Sequence, residues 1–102
     1  MTQHDFNTIF THYPELIAEM QDPFTSHQFI LHLARQHQAL YIEALYAYRD
    51  IPNPQHATPF KTVHGILAKH LNAYPSLVTN IGEVESNDIF TNDNTCANWQ
   101  KA

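Results

Sequence analysis

The feature that most constrains the fold is residues 25–49, which read TSHQFILHLARQHQALYIEALYAYR. Apolar residues recur in this segment at the three- and four-residue spacing of an α-helix, and they fall on two sides of it. The stronger side carries Phe29, Ile30, Leu33, Leu40, Tyr41, Ala44, Leu45 and Tyr48, and the weaker side carries Leu31, Ala34, Ile42 and Tyr46. Because a helix that is apolar on two sides needs cover on both, we predict that the rest of the chain packs around it.

The ends and the middle of this segment carry their own signals. Thr25 and Gln28 have the spacing of a capping box, with Thr25 as N-cap and Gln28 reaching back to it, and Ser26 is a competing N-cap. The polar run of residues 35–38 interrupts the apolar pattern, and His37 stands where an apolar residue is due. We therefore expect one helix, or two nearly continuous helices with a junction near His37.

Prolines delimit the other predicted helices. A short helix around residues 6–10 should end before Pro14, because the residue that precedes a proline disfavours helical geometry. Pro14 also suits the first position of a second helix, over residues 14–20. The prolines within residues 50–54 end the central segment. Residues 58–74 form the next helix, with Thr58 as N-cap, and its mid-helix Gly65 could permit close approach to the central helix.

Residues 76–102 carry the weakest pattern. Leu77, Val78 and Ile81, followed by Gly82, indicate one more helical turn capped by Ser76. Beyond it the backbone is either irregular or a short hairpin in which residues 82–90 pair with residues 96–101. Three large apolar residues should anchor this tail on the helices: Ile89, Phe90 and Trp99.

Together these patterns predict an all-α fold, a bundle of about four helices around residues 25–49 with an irregular or short-hairpin tail. A length of 102 residues and 43% hydrophobic composition suit a single domain over residues 1–102.

Charge, cysteine and glycine usage narrow the function classes. Five Lys and Arg against ten Asp and Glu give a formal charge of -5, without the basic patch that nucleic-acid binding requires. A single cysteine suits a reducing compartment, and no run of about 18 apolar residues or signal peptide is present. We therefore expect a cytoplasmic protein without membrane association. Two glycines cannot form a glycine-rich phosphate loop.

Eight histidines raise the question of a metal site. No two of them lie three or four residues apart, the spacing that places two imidazoles on one helical face. The nearest pattern is His12, Glu15 and Glu19, but Pro14 leaves His12 outside the regular helix. A site assembled from separate helices stays an alternative. From the spacing we predict no metal site, no cofactor and no catalytic residue.

Five residues are candidates for an interface or a ligand pocket: Tyr41, Ile42, Tyr46, His37 and His70. Ile42 and Tyr46 lie off the main apolar side of the central segment, so a second subunit would cover them if the N-terminal helices do not. His37 and His70 each interrupt an apolar pattern. Each is either a structural histidine satisfied by a hydroxyl or carbonyl, or a general base in a pocket.

Three stretches resemble a family of short bacterial orphan proteins of unknown function, some of which are carried on mobile elements such as integron gene cassettes. The stretches are Phe24-Thr25-Ser26-His27-Gln28-Phe29-Ile30, then Thr62-Val63-His64-Gly65-Ile66-Leu67-Ala68-Lys69, and the tail from Ser86 to Trp99. The resemblance implies a compact helical domain in a bacterial cytoplasm, and it brings no assigned catalytic residues.

Three functional hypotheses follow. The first is a non-enzymatic protein-interaction module, homodimeric or bound to another protein through the central segment. The second is a small-ligand-binding protein or an enzyme of unrecognised type with a helical pocket around His37 or His70. The third is a regulator of the helix-turn-helix kind that uses residues 58–74, against which the acidic balance argues.

Overall fold

A computed structural model describes residues 6–49, 59–87 and 93–102. Within these ranges the chain forms helices first and most of its sheet last. In chain order the elements are α1 (Asn7–Phe10), α2 (Tyr13–Glu19), β1 (Phe24–Thr25), α3 (Ser26–Gln36), α4 (Gln38–Ala47), α5 (Pro59–His70), a 3-10 turn (Leu71–Ala73), β2 (Val78–Asn87) and β3 (Asp93–Lys101).

The predicted all-α class is wrong, because three strands form an antiparallel sheet in the order β1-β3-β2. β2 and β3 form a long hairpin that pairs Val78 with Lys101 at one end. β1 adds only two residues to the other edge of β3, where Phe24 pairs with Trp99. The protein is therefore a mixed α and β structure in which helices cover a small sheet.

Most of the helical turn expected at residues 76–82 is strand instead, because β2 begins at Val78 directly after a turn at residues 75–77. Leu77, Val78 and Ile81 have a spacing that suits a helical turn, but Val78 points into the core while Ile81 is 48% exposed. The strand is irregular between Asn80 and Glu83, where the register shifts and Gly82 adopts a φ of 121°. Pairing with β3 stabilises this extended conformation. Because β3 is distant in sequence, the residues around 76–82 alone do not predict it.

Residues 25–49 form two helices, α3 and α4, that meet at His37. The predicted capping box is confirmed: Thr25 Oγ1 accepts from the Gln28 N–H at 3.1 Å, and Gln28 Oε1 accepts from the Thr25 N–H at 2.8 Å. α3 supplies Phe29, Ile30 and Leu33 to the core, all of them buried. The backbone leaves helical geometry at His37, with a φ of -131° and a ψ of 59°, while the His37 N–H still donates to the Leu33 carbonyl at the end of α3.

The other helix boundaries follow the prolines closely. α2 begins at Tyr13, one residue earlier than predicted, with Pro14 in its first turn. α5 begins at Pro59 as predicted and gives way to a 3-10 turn at Leu71, just before the expected end. Thr58, Ile89 and Phe90 lie outside the described residues.

The last strand ties the sheet to the helices through side-chain contacts. Trp99 is buried, as predicted for an anchor, and its indole Nε1 donates to Ser26 Oγ at 2.9 Å. The Lys101 ammonium donates to the carbonyl oxygens of Ala18 and Met20, at 3.1 and 2.9 Å, where α2 ends. A cation at this end of a helix also complements the partial negative charge of the exposed carbonyls.

Candidate functional site

The five candidate residues do not form one site, because the structure distributes them over three places. Ile42 and Tyr46 lie one turn apart on α4, and each is 61% exposed. The Arg49 guanidinium lies 3.8 Å from the centroid of the Tyr46 ring, in a cation–π arrangement. These residues form the exposed face of α4, which we define as Ala39, Ile42, Tyr46 and Arg49.

The exposed face of α4 has an unusual composition for a surface. In the ten residues QALYIEALYA, Gln38 and Glu43 are the two that lack an apolar or aromatic side chain. Apolar residues therefore surround the helix, a pattern typical of helices that are covered on all sides. The spacing of Ala39, Ile42 and Tyr46 is three and four residues, which is the spacing of a two-helix seam, and Arg49 follows in the turn after α4.

Tyr41 points the other way, into the protein, and is only 9% exposed. Its hydroxyl lies 2.6 Å from His64 Nε2 of α5, and the two rings stack with centroids 5.7 Å apart. Burial raises the pKa of the Tyr41 phenol to about 12, so the hydroxyl keeps its proton and can donate to the imidazole. Tyr41 thus joins α4 to α5 and is not part of the exposed face.

His70 belongs to an aromatic cluster with Phe10, Tyr13 and Tyr74. Its ring stacks on Phe10 with centroids 3.4 Å apart and meets Tyr13 edge-on at 5.1 Å. Burial lowers the pKa of His70, which favours the neutral ring. The Tyr74 hydroxyl donates to the Phe10 carbonyl at 3.0 Å, which closes the cluster over α1. These contacts suit the structural role that the sequence offered as one alternative.

His37 lies against α2, where it stacks on His12 with ring centroids 4.0 Å apart and an angle of 25° between the planes. Glu15 completes this group, with its Oε2 atom 3.9 Å from His12 Nδ1. One ligand-type atom from each of the three residues lies within 4.8 Å of the other two. We call His12, Glu15 and His37 the histidine–carboxylate cluster.

A second histidine–carboxylate contact follows one turn further along α2. His32 Nε2 of α3 lies 2.8 Å from Glu19 Oε1. The pair borders an open cleft of about 310 Å³. The cleft is lined by Glu19, Met20, Gln21, Gln28, Leu31, His32 and Arg35. Neither His37 nor His70 lines it, so this cleft is not the pocket expected around those two residues.

The sequence pattern already contained two of the three residues of the histidine–carboxylate cluster. His12, Glu15 and Glu19 have the spacing of one helical face, and the structure makes His12 the N-cap residue of α2, which brings its ring within reach of Glu15. The third residue, His37, lies at the C-terminal end of α3 and reaches the cluster because α2 and α3 pack side by side. That packing could not be obtained from spacing within either helix.

Comparison with protein-family models, with curated protein sequences and with solved structures finds no match. Among the helices of residues 6–49 and 59–87, none combines the length and the apolar character required to cross a bilayer.

Proposed function

We propose that this protein is a non-enzymatic interaction module that self-associates through the exposed face of α4. The observation that carries the proposal is that α4 is apolar around its circumference, while Ile42 and Tyr46 are each 61% exposed. Exposed aliphatic and aromatic side chains at the spacing of a helical seam are typical of a surface that another helix covers.

A second copy of the chain is the occupant that best fits this face. In an antiparallel pair of α4 helices related by a two-fold axis at Tyr46, Glu43 lies opposite Arg49 of the partner subunit. The two-fold axis produces this contact between opposite charges twice, so the same surface of each copy provides the acidic and the basic residue. Ala39 and Ala47 are small, which allows two helix backbones to approach closely around Ile42 and Tyr46.

The size of the face sets the expected affinity. A ten-residue helix is about 15 Å long, so a contact between two such helices is smaller than a standard interface of about 1,600 Å². We therefore expect a dimer with a dissociation constant in the micromolar range, one that forms and dissociates with concentration.

Sedimentation equilibrium over a wide concentration range tests this proposal. The wild type should approach a dimer mass at high concentration, and the Ile42→Glu/Tyr46→Glu variant should stay monomeric, because four carboxylates would face one another in the dimer. Ile81→Ser is the matched control, since it removes another exposed apolar residue far from α4 in the chain. A wild type that stays monomeric up to about 1 mM contradicts the proposal, as does a dimer that survives the double substitution.

The cleft beside Glu19 and His32 favours small-ligand binding as a second candidate function. A carboxylate that orients an imidazole, with Arg35 at the same cleft, suits an acidic ligand or proton transfer. Ligand sites, however, usually bury most of the ligand among apolar side chains. Here Met20 and Leu31 supply the apolar lining of an open cleft, so we rank this function second.

The remaining expectations stay predictions. Membership of the bacterial orphan family and a cytoplasmic location rest on the sequence alone. The regulator hypothesis also stays a prediction, with a formal charge of -5 against it.

A further inference from the structure

The histidine–carboxylate cluster brings three metal-ligand side chains together from two parts of the chain. His12 is the N-cap residue of α2, Glu15 lies in the first turn of that helix, and His37 comes from the junction between α3 and α4. Their ligand-type atoms lie within 4.8 Å of one another. In a tetrahedral zinc site with bonds of about 2.1 Å, ligand atoms lie about 3.4 Å apart. The distances between the ligand atoms therefore have to shorten, by up to about 1.4 Å, to reach that geometry.

The positions of the three residues permit this movement. The Glu15 side chain is 68% exposed, so its carboxylate can change rotamer without disturbing the core. His12 and His37 are both N-cap residues, and neither imidazole makes a capping hydrogen bond that an ion would have to replace. The two rings face each other at 4.0 Å with a tilt of 25°, so one ring must turn out of the stack for both nitrogens to point at one ion.

The donor set selects the class of ion. Two imidazole nitrogens and one carboxylate oxygen suit Zn²⁺ and its first-row neighbours, whereas Mg²⁺ and Ca²⁺ prefer oxygen ligands alone. His12 is one-third exposed, so an ion can reach the cluster from solvent and keep a water molecule in the fourth position.

We propose that His12, Glu15 and His37 form a binding site for a divalent transition-metal ion of the Zn²⁺ type. The bound ion joins the start of α2 to the α3–α4 junction, so it stabilises the angle at which α4 leaves α3. The site is separate from the exposed face of α4, and the proposal does not depend on self-association.

Calorimetric titration of Zn²⁺ into untagged, chelator-treated protein tests the proposal. We expect one ion per chain with micromolar or tighter affinity. His12→Ala and His37→Ala should each weaken binding at least about tenfold, because two remaining ligands hold the ion poorly. The matched control is His32→Ala, which removes another half-buried histidine that contacts a carboxylate of α2. It should leave the affinity within about twofold of the wild type.

A variant could lose Zn²⁺ binding simply because it folds poorly. The midpoint of thermal unfolding is therefore measured for each variant with and without Zn²⁺, and the change in that midpoint is compared between variants. The midpoint should rise on adding the ion for the wild type and for His32→Ala, and it should rise clearly less for His12→Ala or His37→Ala, which bind the ion more weakly. Two results overturn the proposal. One is the absence of stoichiometric binding at about 100 μM Zn²⁺, and the other is binding that the His12→Ala/His37→Ala double variant retains.

Discussion

The Tyr13 side chain is fully buried, and its hydroxyl donates to the Leu67 carbonyl of α5 at 2.5 Å. Burial raises the pKa of the phenol far above its usual range, so Tyr13 remains protonated and the bond is kept at any ordinary pH. A residue near the start of the described chain is thus joined to the fifth helix by one directional contact. The hydrogen bond fixes Tyr13 in the aromatic cluster, where it also makes ring contacts with Phe10, Phe29, His70 and Tyr74.

We expect Tyr13→Phe to lower the free energy of unfolding by about 1 kcal/mol, because the ring stays in place while a buried hydrogen bond is lost. Urea denaturation followed by circular dichroism measures this change. Tyr46→Phe removes the same atom from a ring that is 61% exposed, and it should change the free energy of unfolding by less than about 0.5 kcal/mol. Equal effects of the two substitutions would show that the hydrogen bond to Leu67 contributes nothing.

The histidines show how far residue-level inference reaches. The sequence identified His37 and His70 as unusual because each interrupts an apolar pattern, and both make ring contacts rather than pointing into solvent. Their partners, His12 and Phe10, lie 25 and 60 residues away in the chain. A pattern within one helix can therefore show that a residue needs a partner, but it cannot identify that partner.

At the scale of elements, local chemistry determined most helix boundaries. The capping box at Thr25 and the prolines at positions 14 and 59 are signals within three or four residues, and the structure places helix starts at or next to each. The sheet depends instead on residues that are distant in sequence, because β1 pairs Phe24 with Trp99, 75 residues later in the chain. Two residues of strand before a helix give no alternating pattern, so the sequence could not reveal β1.

Replacement of each of the two glycines by alanine should change the free energy of unfolding in opposite directions. Gly65 lies in α5 with open space where a Cβ would point, so it does not permit the close helix contact considered from the sequence. Gly65→Ala should therefore raise the free energy of unfolding by about 1 kcal/mol. Gly82 has a φ of 121°, which an alanine adopts only with strain, so Gly82→Ala should lower the free energy of unfolding by about 1–2 kcal/mol.

Chemical denaturation of the two variants beside the wild type measures both changes under one condition. The pair is its own control, because both substitutions add one methyl group to an exposed position with nothing within 4 Å of the new atom. Destabilisation by both would mean that space around Gly65 is tighter than the structure shows. Stabilisation by both would mean that the turn at Gly82 relaxes without strain.

At the scale of the whole molecule, the last strand, β3, connects the sheet to the helices. β3 pairs with β2 along its length, with β1 at Trp99, and reaches the ends of α2 and α3 through Lys101 and Trp99. β3 therefore contacts both other strands and two of the helices, α2 and α3. Because of these contacts we expect the helices and the sheet to unfold as one cooperative unit, as the single-domain prediction requires.

Trp99 makes this expectation measurable, because it is the only tryptophan in the sequence and is buried where β3 meets α3. Its fluorescence reports the contact between sheet and helices, whereas circular dichroism at 222 nm reports mainly the helices. In urea at a protein concentration well below the dissociation constant of the dimer, the two transitions should coincide in midpoint and slope. If the tryptophan became exposed at a lower urea concentration than that at which the helices melt, the hairpin would be a separate unit that detaches first. The helices would then be stable without β3, and the contacts of Trp99 and Lys101 would fasten the sheet to a helical body that folds independently of it.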